Sequence, residues 1–164
     1  MRNLSRCLLA VVLLGSVSLA HAQGTGIALS PIEVDGNQPV EVTSDSLTVE
    51  QDSNSATFEG NARVVQGNLI FSANKIRVHY NAAQSAIERI EATTDVMFTN
   101  GTEIAEAQSG TYIVGSGTVN LAGDVVLVQG VNAISGDALS LDLNTNRGTM
   151  NGNVKTVFVP KTDQ

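Results

Sequence analysis

The chain has 164 residues, with 9 Lys and Arg against 16 Asp and Glu, a formal charge of −7, one cysteine and no tryptophan. An acid excess of this size argues against nucleic acid, where neutralising phosphates dominates affinity, and against spontaneous attachment to anionic membrane surfaces. A single thiol leaves no disulfide framework to build on.

Arg2 and Arg6 followed by an apolar run at residues 8–14 and the small-x-small site Ala20-His21-Ala22 read as a secretory signal peptide over residues 1–22, cleaved after Ala22. Cys7 precedes the apolar run, so it is not a lipoprotein anchor. Removing that leader leaves 142 residues with 7 basic and 16 acidic side chains, a balance of −9, and no cysteine. The expected product is an exported, soluble single domain held by its core and its hydrogen-bond ladder. Residues 23–37, opening Gly/Thr/Ser-rich, are expected to be flexible, residues 38–160 to form the domain and residues 161–164 a tail.

From residue 38 onward apolar residues alternate with polar ones. Val40 and Val42 share a face, continued by Leu47 and Val49. Gln66-Gly67-Asn68 reads as a turn; Ile76, Val78 and Tyr80 then alternate with Lys75, Arg77 and His79. Residues 82–92 are rich in Ala, Gln and Glu, but Ile87 and Ile90 build no amphipathic stripe. Asn100-Gly101 is a hairpin signal, followed by pairs such as Tyr112 and Val114, Val119 and Leu121, and Val125 and Leu127, then by Leu139, Leu141 and Leu143. The last strand runs to Phe158, before Pro160. Period-2 patterning throughout predicts an all-β chain: a sandwich, a jelly roll or a β-solenoid.

Two interleaved series run through these strands. Restarts begin at Gly60-Asn61, Thr94-Asp95, Gly123-Asp124 and Gly152-Asn153, their second residues spaced by 34, 29 and 29. Upstream units centre on Asp45, Asn74, Gln108 and Asp137, spaced by 29, 34 and 29. One shared period predicts a stack of similar β-turn-β layers, and a glycine that opens a restart permits positive φ or a bulge.

Little in the chain points to catalysis. His79, the lone histidine after the leader, lies on a polar strand face without ligand partners at a suitable spacing. Glu103 and Glu106 could pair, but they also flank a strand edge, where charge suppresses aggregation. There is no Gly-x-Ser-x-Gly elbow, and the scattered Asp and Asn sit at turns, where turn chemistry accounts for them. The reading is of a non-enzyme with no metal and no cofactor. What remains is an apolar interior, either a dry core or a groove for lipid. A buried methylene contributes about 0.8 kcal/mol, so an acyl chain of about a dozen carbons could gain about 10 kcal/mol gross.

The segments Gln38-Pro39-Val40-Glu41-Val42-Thr43-Ser44-Asp45, Ala56-Thr57-Phe58-Glu59-Gly60-Asn61-Ala62-Arg63-Val64 and Ser72-Ala73-Asn74-Lys75-Ile76 resemble the periplasmic LptA/OstA-like lipopolysaccharide-transport proteins. Leu121-Ala122-Gly123-Asp124-Val125, Ser135-Gly136-Asp137-Ala138-Leu139 and Val157-Phe158-Val159-Pro160 continue the resemblance across nearly all of residues 38–160. The resemblance implies a twisted, partly open β-jellyroll of stacked antiparallel strands in the periplasm. It implies binding of lipid A acyl chains inside, and a bridge that carries lipopolysaccharide from the inner to the outer membrane. Its implied partners are membrane-anchored transport components with related jellyrolls, and further copies joined head to tail by strand addition.

Carried onto this chain, the lipid-facing residues are Val40, Val42, Phe98, Tyr112 and Val114. Leu47, Val49, Val64, Val78 and Leu141 share the inward parity and rank as core first. Two departures stand out: only scattered Lys75, Arg77 and Arg89 are offered to phosphate headgroups, and Gly110 replaces the Leu or Ile of the other upstream units, which would weaken a core row and open the interior locally. The alternatives are an exported structural β-solenoid with a closed core and a carbohydrate-active β-stack enzyme, the latter lacking a well-placed carboxylate pair.

Overall fold

The structure is a computed structural model that describes residues 25–30 and 38–160. The expected signal peptide, residues 31–37 and the tail lie outside the described residues. In chain order the strands are β1 Thr25–Ala28, β2 Glu41–Thr43, β3 Ser46–Glu50, β4 Ser55–Gln66, β5 Leu69–Tyr80, β6 Ile87–Thr99, β7 Glu103–Ile113, β8 Thr118–Gln129, β9 Asn132–Asp142, β10 Arg147–Asn151 and β11 Lys155–Val157. A single 3-10 turn, Val114–Ser116, joins β7 to β8. Among the described residues the chain is therefore all-β, as the alternation dictates.

One antiparallel sheet of 11 strands runs β1-β10-β9-β8-β7-β6-β5-β4-β2, with β3 also paired to β4 and β11 to β9. The branching follows from a bend in the middle of each long strand, where the register shifts at a bulge. One half of each strand joins a first wall, which runs from β3 through β4–β9 to β10 and β1. The other half joins a second wall, which runs from β2 through β4–β9 to β11. The walls fold toward each other and the sheet does not close, which makes a partly open jellyroll.

The bends explain the double periodicity. Gly60-Asn61, Thr94-Asp95, Gly123-Asp124 and Gly152-Asn153 each place two consecutive residues at positive φ, so the chain swings from one wall to the other within a residue or two. The upstream residues sit at the same bends on the intervening strands. Asn61 Nδ2 donates to Asp45 Oδ2 at 3.0 Å, Gln108 Nε2 to Asp124 Oδ2 at 2.9 Å and Asn153 Nδ2 to Asp137 Oδ2 at 2.9 Å, each pair 16 residues apart. The two series are thus the two sides of one ladder along an exposed crease. Glycine is required there for close approach as well as for φ: a Cβ on Gly123 would lie 2.9 Å from Gln108 Cβ.

Thr94 breaks the glycine pattern yet still takes φ 66°, a region a β-branched residue adopts only under strain. Such strain costs about 1–3 kcal/mol, against about 0.5–1 kcal/mol for the extra chain entropy of glycine. Thr94→Gly is expected to raise the Tm by about 2–4 °C in a circular-dichroism melt. An unchanged or lower Tm would contradict the strain.

One expectation is corrected. Residues 23–37 are not a flexible segment throughout, because Thr25–Ala28 is β1, paired antiparallel with β10. Ile27 and Leu29 alternate as strand residues do, and both are buried in the core, 6% and 8% exposed. Their burial supplies the free energy that orders this stretch.

Candidate functional site

The register places the inward side chains in rows that cross the strands. On the first wall one row runs Ala56, Val78, Ile90, Tyr112, Val119 and Leu141. On the second wall Val42, Val64, Phe71, Phe98, Ala105 and Leu127 form another. Ala56 is buried, Val42 packs half-buried against the core, and the other ten belong to a single buried apolar cluster. The walls meet across the interior: Tyr112 Oη on the first donates to Gln66 Oε1 on the second at 3.4 Å. Burial pushes the Tyr112 phenol above its ordinary pKa, so it remains a neutral donor.

All five candidate lipid contacts border this lumen. Val42 and Phe98 share the second-wall row, and Val40, just before β2, is partly buried against the same cluster. Phe98 stands edge-on to Phe71, ring centroids 6.1 Å apart and planes at 78°. Tyr112 lies on the first wall, and Val114 packs partly buried in the turn that follows β7.

Gly110 does not open the interior, contrary to expectation. It is buried, and a Cβ there would come within 2.7 Å of both Phe71 Cζ and Leu121 Cδ2. The missing side chain makes room for the Phe71 ring from the opposite wall. Sequence reasoning missed this pairing, because a glycine at a core parity looks like a gap until the facing wall is known.

The cross-lumen contacts are staggered. Phe71 on β5 reaches β7, Gln66 at the end of β4 reaches β7, and Gln129 at the end of β8 reaches β1 through the Ala28 carbonyl at 3.0 Å. At these three contacts a second-wall strand faces a first-wall strand two or three places further along, an offset of the kind that twisted sheets produce when they pack. The stagger leaves the first wall uncovered at the β3 end. Leu47 and Val49 are accordingly 56% and 64% exposed, so their expected core role is corrected, whereas Val64, Val78 and Leu141 are buried. With Ala56, Phe58 and Tyr80 these two residues line a cleft of about 290 Å³ at this mouth.

At the opposite end the seam is bridged. Ser30 N–H donates to Glu103 Oε1 at 2.8 Å, and the Asn100 amide donates to Glu103 Oε2. Burial opposes ionisation of Glu103, but hydrogen bonds from Ser30, Asn100 and Gln129 outweigh it and hold the carboxyl below its ordinary 4.5. A lowered folded pKa means the unfolded chain binds the proton more readily. The stabilisation is present above the ordinary glutamate range and lost as pH falls through the folded value. Melts of wild type and Glu103→Gln are expected to differ at pH 7 and to converge as pH falls below the ordinary glutamate range through the lowered folded value; a constant gap would contradict the assignment. Glu106 is exposed, so the two carboxylates form no pair.

The scattered cations face away from the lumen. On the outer face of the first wall Lys75 pairs with Glu59 at 2.8 Å, Arg77 with Glu50 at 3.5 Å and Arg89 with Glu91 at 3.4 Å. His79 Nε2 lies 2.9 Å from Glu91 Oε2 on the same face. Among the described residues no group of three or more His, Cys, Asp or Glu is placed to hold a metal ion.

Residues 41–156 match the family described as LptA/(LptD N-terminal domain) LPS transport protein. The chain belongs to this LptA/LptD N-terminal-domain family. It is 32% identical over 148 residues to an uncharacterized protein of Rhizobium meliloti, covering 84% of this chain and 80% of that one. It is 29% identical over 137 residues to the lipopolysaccharide export system protein LptA of Haemophilus influenzae, covering 77% and 80%. The fold is that of LptH, the LptA-homologous periplasmic component of the lipopolysaccharide transport device of Pseudomonas aeruginosa, with a TM-score of 0.71 at 16% identity over 77% of this chain and 99% of that one. The LptA-like jellyroll is thus the two-walled lumen described above.

Proposed function

We propose that this chain is a periplasmic, non-enzymatic lipopolysaccharide carrier that bridges the inner and outer membranes, with lipid A acyl chains held between its two walls. The observation that carries the reading is the lumen itself: facing rows of aliphatic and aromatic side chains that open at Leu47, Val49 and Phe58. Membership in a lipopolysaccharide-transport family and the expected export signal support it. Val40, Val42, Phe98, Tyr112 and Val114 are the proposed lipid contacts.

The partners on this reading are jellyroll domains of membrane-anchored transport components, and further copies of the chain joined end to end. Unpaired main-chain groups on β2 and β3 at one end, and on the strands at the other, suit strand addition. Force must come from elsewhere, since the sequence has no phosphate-binding loop.

The direct contact of Phe71 with Gly110 favours a second reading, a scaffold whose interior stays dry. A photo-crosslinking residue placed in living cells at Val42, Phe98 or Tyr112 separates the two. The carrier reading expects lipopolysaccharide adducts at these positions and saturable binding of labelled lipopolysaccharide by the purified protein. Absence of both would leave the scaffold.

A further inference from the structure

Of the four edges of the two walls, three are formed by strands one or two places away in sequence from the strand they cover: β3 on β4, β2 on β4 and β11 on β9. The fourth is not. The β10 edge of the first wall is covered by β1 from the far end of the chain, with Thr25 opposite Met150 and Ala28 opposite Arg147. The stagger of the walls leaves second-wall strands at this end in need of a first-wall strand beyond β10, and β1 supplies it. Gln129 Nε2 donates to the Ala28 carbonyl at 3.0 Å, and Ser30 N–H to Glu103 at 2.8 Å, tying β1 across the seam.

The strand at the opposite end has the same design. In Ser46-Leu47-Thr48-Val49 of β3, as in Gly26-Ile27-Ala28-Leu29, apolar side chains occupy alternate positions. Both strands run antiparallel to the neighbour they cover, β3 on β4 and β1 on β10. Strand direction alternates without a break from β3 to β10, so a strand added to β10 in the sense of β3 runs in the direction of β1. Ile27 and Leu29 are buried, 6% and 8% exposed, whereas Leu47 and Val49 are 56% and 64% exposed and without a covering wall.

We infer that β1 occupies, within its own chain, the seat on β10 that fits β3 of a second copy, so that end-to-end joining requires β1 to leave. The occupant is a second copy because β3 offers the same alternation, the same strand sense and two unburied aliphatics. The inference rests on the end-to-end joining proposed above. β1 then limits association: its release exposes the main-chain groups of β10 and the apolar lumen end together, and the incoming β3 buries both.

The test fixes or frees β1. Gly26 and Thr149 are directly opposed and exposed, and a Cβ on Gly26 meets nothing within 4 Å. Gly26→Cys with Thr149→Cys, in a chain also carrying Cys7→Ser, gives a disulfide that pins β1 to β10. Ile27→Asp with Leu29→Asp frees it. In solution scattering over a concentration series, the freed variant is expected to elongate at about tenfold lower concentration than wild type. The oxidised cysteine variant is expected to stay short, and its reduction with dithiothreitol to restore wild-type association. Equal association of the oxidised and reduced forms would overturn the inference, and so would a freed variant that joins no more readily than wild type. Because the oxidised and reduced forms share one sequence, a folding defect cannot imitate the result. Labelled lipopolysaccharide added to the same samples separates the two proposals: association independent of β1 with binding intact refutes the strap alone, and loss of binding in every sample, wild type included, refutes the carrier.

Discussion

Phe71→Ala is expected to lower the free energy of unfolding by about 3–5 kcal/mol, the range for removing a buried aromatic ring. Phe71 is 3% exposed, stands against Phe98 and fills the space left by Gly110. Gly110→Ala alone is expected to cost about 1–3 kcal/mol, because its Cβ would press on Phe71 Cζ and Leu121 Cδ2 in a packed interior. With the Phe71 ring removed, one of those two obstacles is gone, and the added methyl fills part of the cavity. The double variant should therefore lose less stability than the sum of the singles, by a coupling of about 0.5–3 kcal/mol. Urea titration of the four proteins measures it. Strict additivity would mean that the walls do not meet at this point and that the lumen stands open there.

This coupling bears on function as well as stability. On the carrier reading proposed above, the wall-to-wall contact through Phe71 and Gly110 parts before an acyl chain of about a dozen carbons passes, and the gross gain of about 10 kcal/mol from burying such a chain exceeds what that contact contributes. A carrier whose walls close when empty also avoids presenting a wet apolar face to solvent.

The sequence made the strands, the bends and the inward parity legible, because each depends on local chemistry: alternation for the strands, and Gly-Asn or Gly-Asp pairs for the left-handed bends. Val64, Val78 and Leu141 fall where parity places them. Parity cannot say which inward residues are covered, since that depends on the stagger between walls. Leu47 and Val49 share the parity of Val78 and yet lie open, and Gly110 reads as a gap although Phe71 fills it. The order in β1 was hidden for a related reason. Residues 23–31 are rich in Gly, Thr and Ser, and only pairing with β10, distant in sequence, gives Ile27 and Leu29 something to bury against. Thr94 shows the converse, a bend kept by its neighbours where the local residue opposes it.

Leu47→Asp with Val49→Asp is expected to cut lipopolysaccharide binding at least tenfold while moving the Tm by no more than about 1–2 °C. The small stability effect follows from exposure: both side chains already face solvent, where substitutions usually change stability by about 0.5 kcal/mol or less. The binding effect follows from the stagger. This end of the first wall is uncovered, and its cleft has an apolar side formed by Leu47, Val49, Ala56, Phe58 and Tyr80 beside the polar residues of the β3–β4 turn; an acyl chain entering there is expected to slide along the apolar side. Two carboxylates replace apolar contact with charge that the chain would have to desolvate, at a cost of several kcal/mol. Phe98→Asp supplies the contrast. Phe98 is 4% exposed in the packed cluster, so a charge there is expected to collapse folding and binding together. Val157→Asp at the far end, where Val157 is 50% exposed, controls for general effects of added negative charge on an acidic protein. All four proteins are compared at concentrations where scattering shows single copies, so that a lost end-to-end joint cannot be mistaken for a lost mouth. Binding that survives the mouth variant, with its fold intact, would place lipid entry along the lateral seam between the walls instead of at the β3 end.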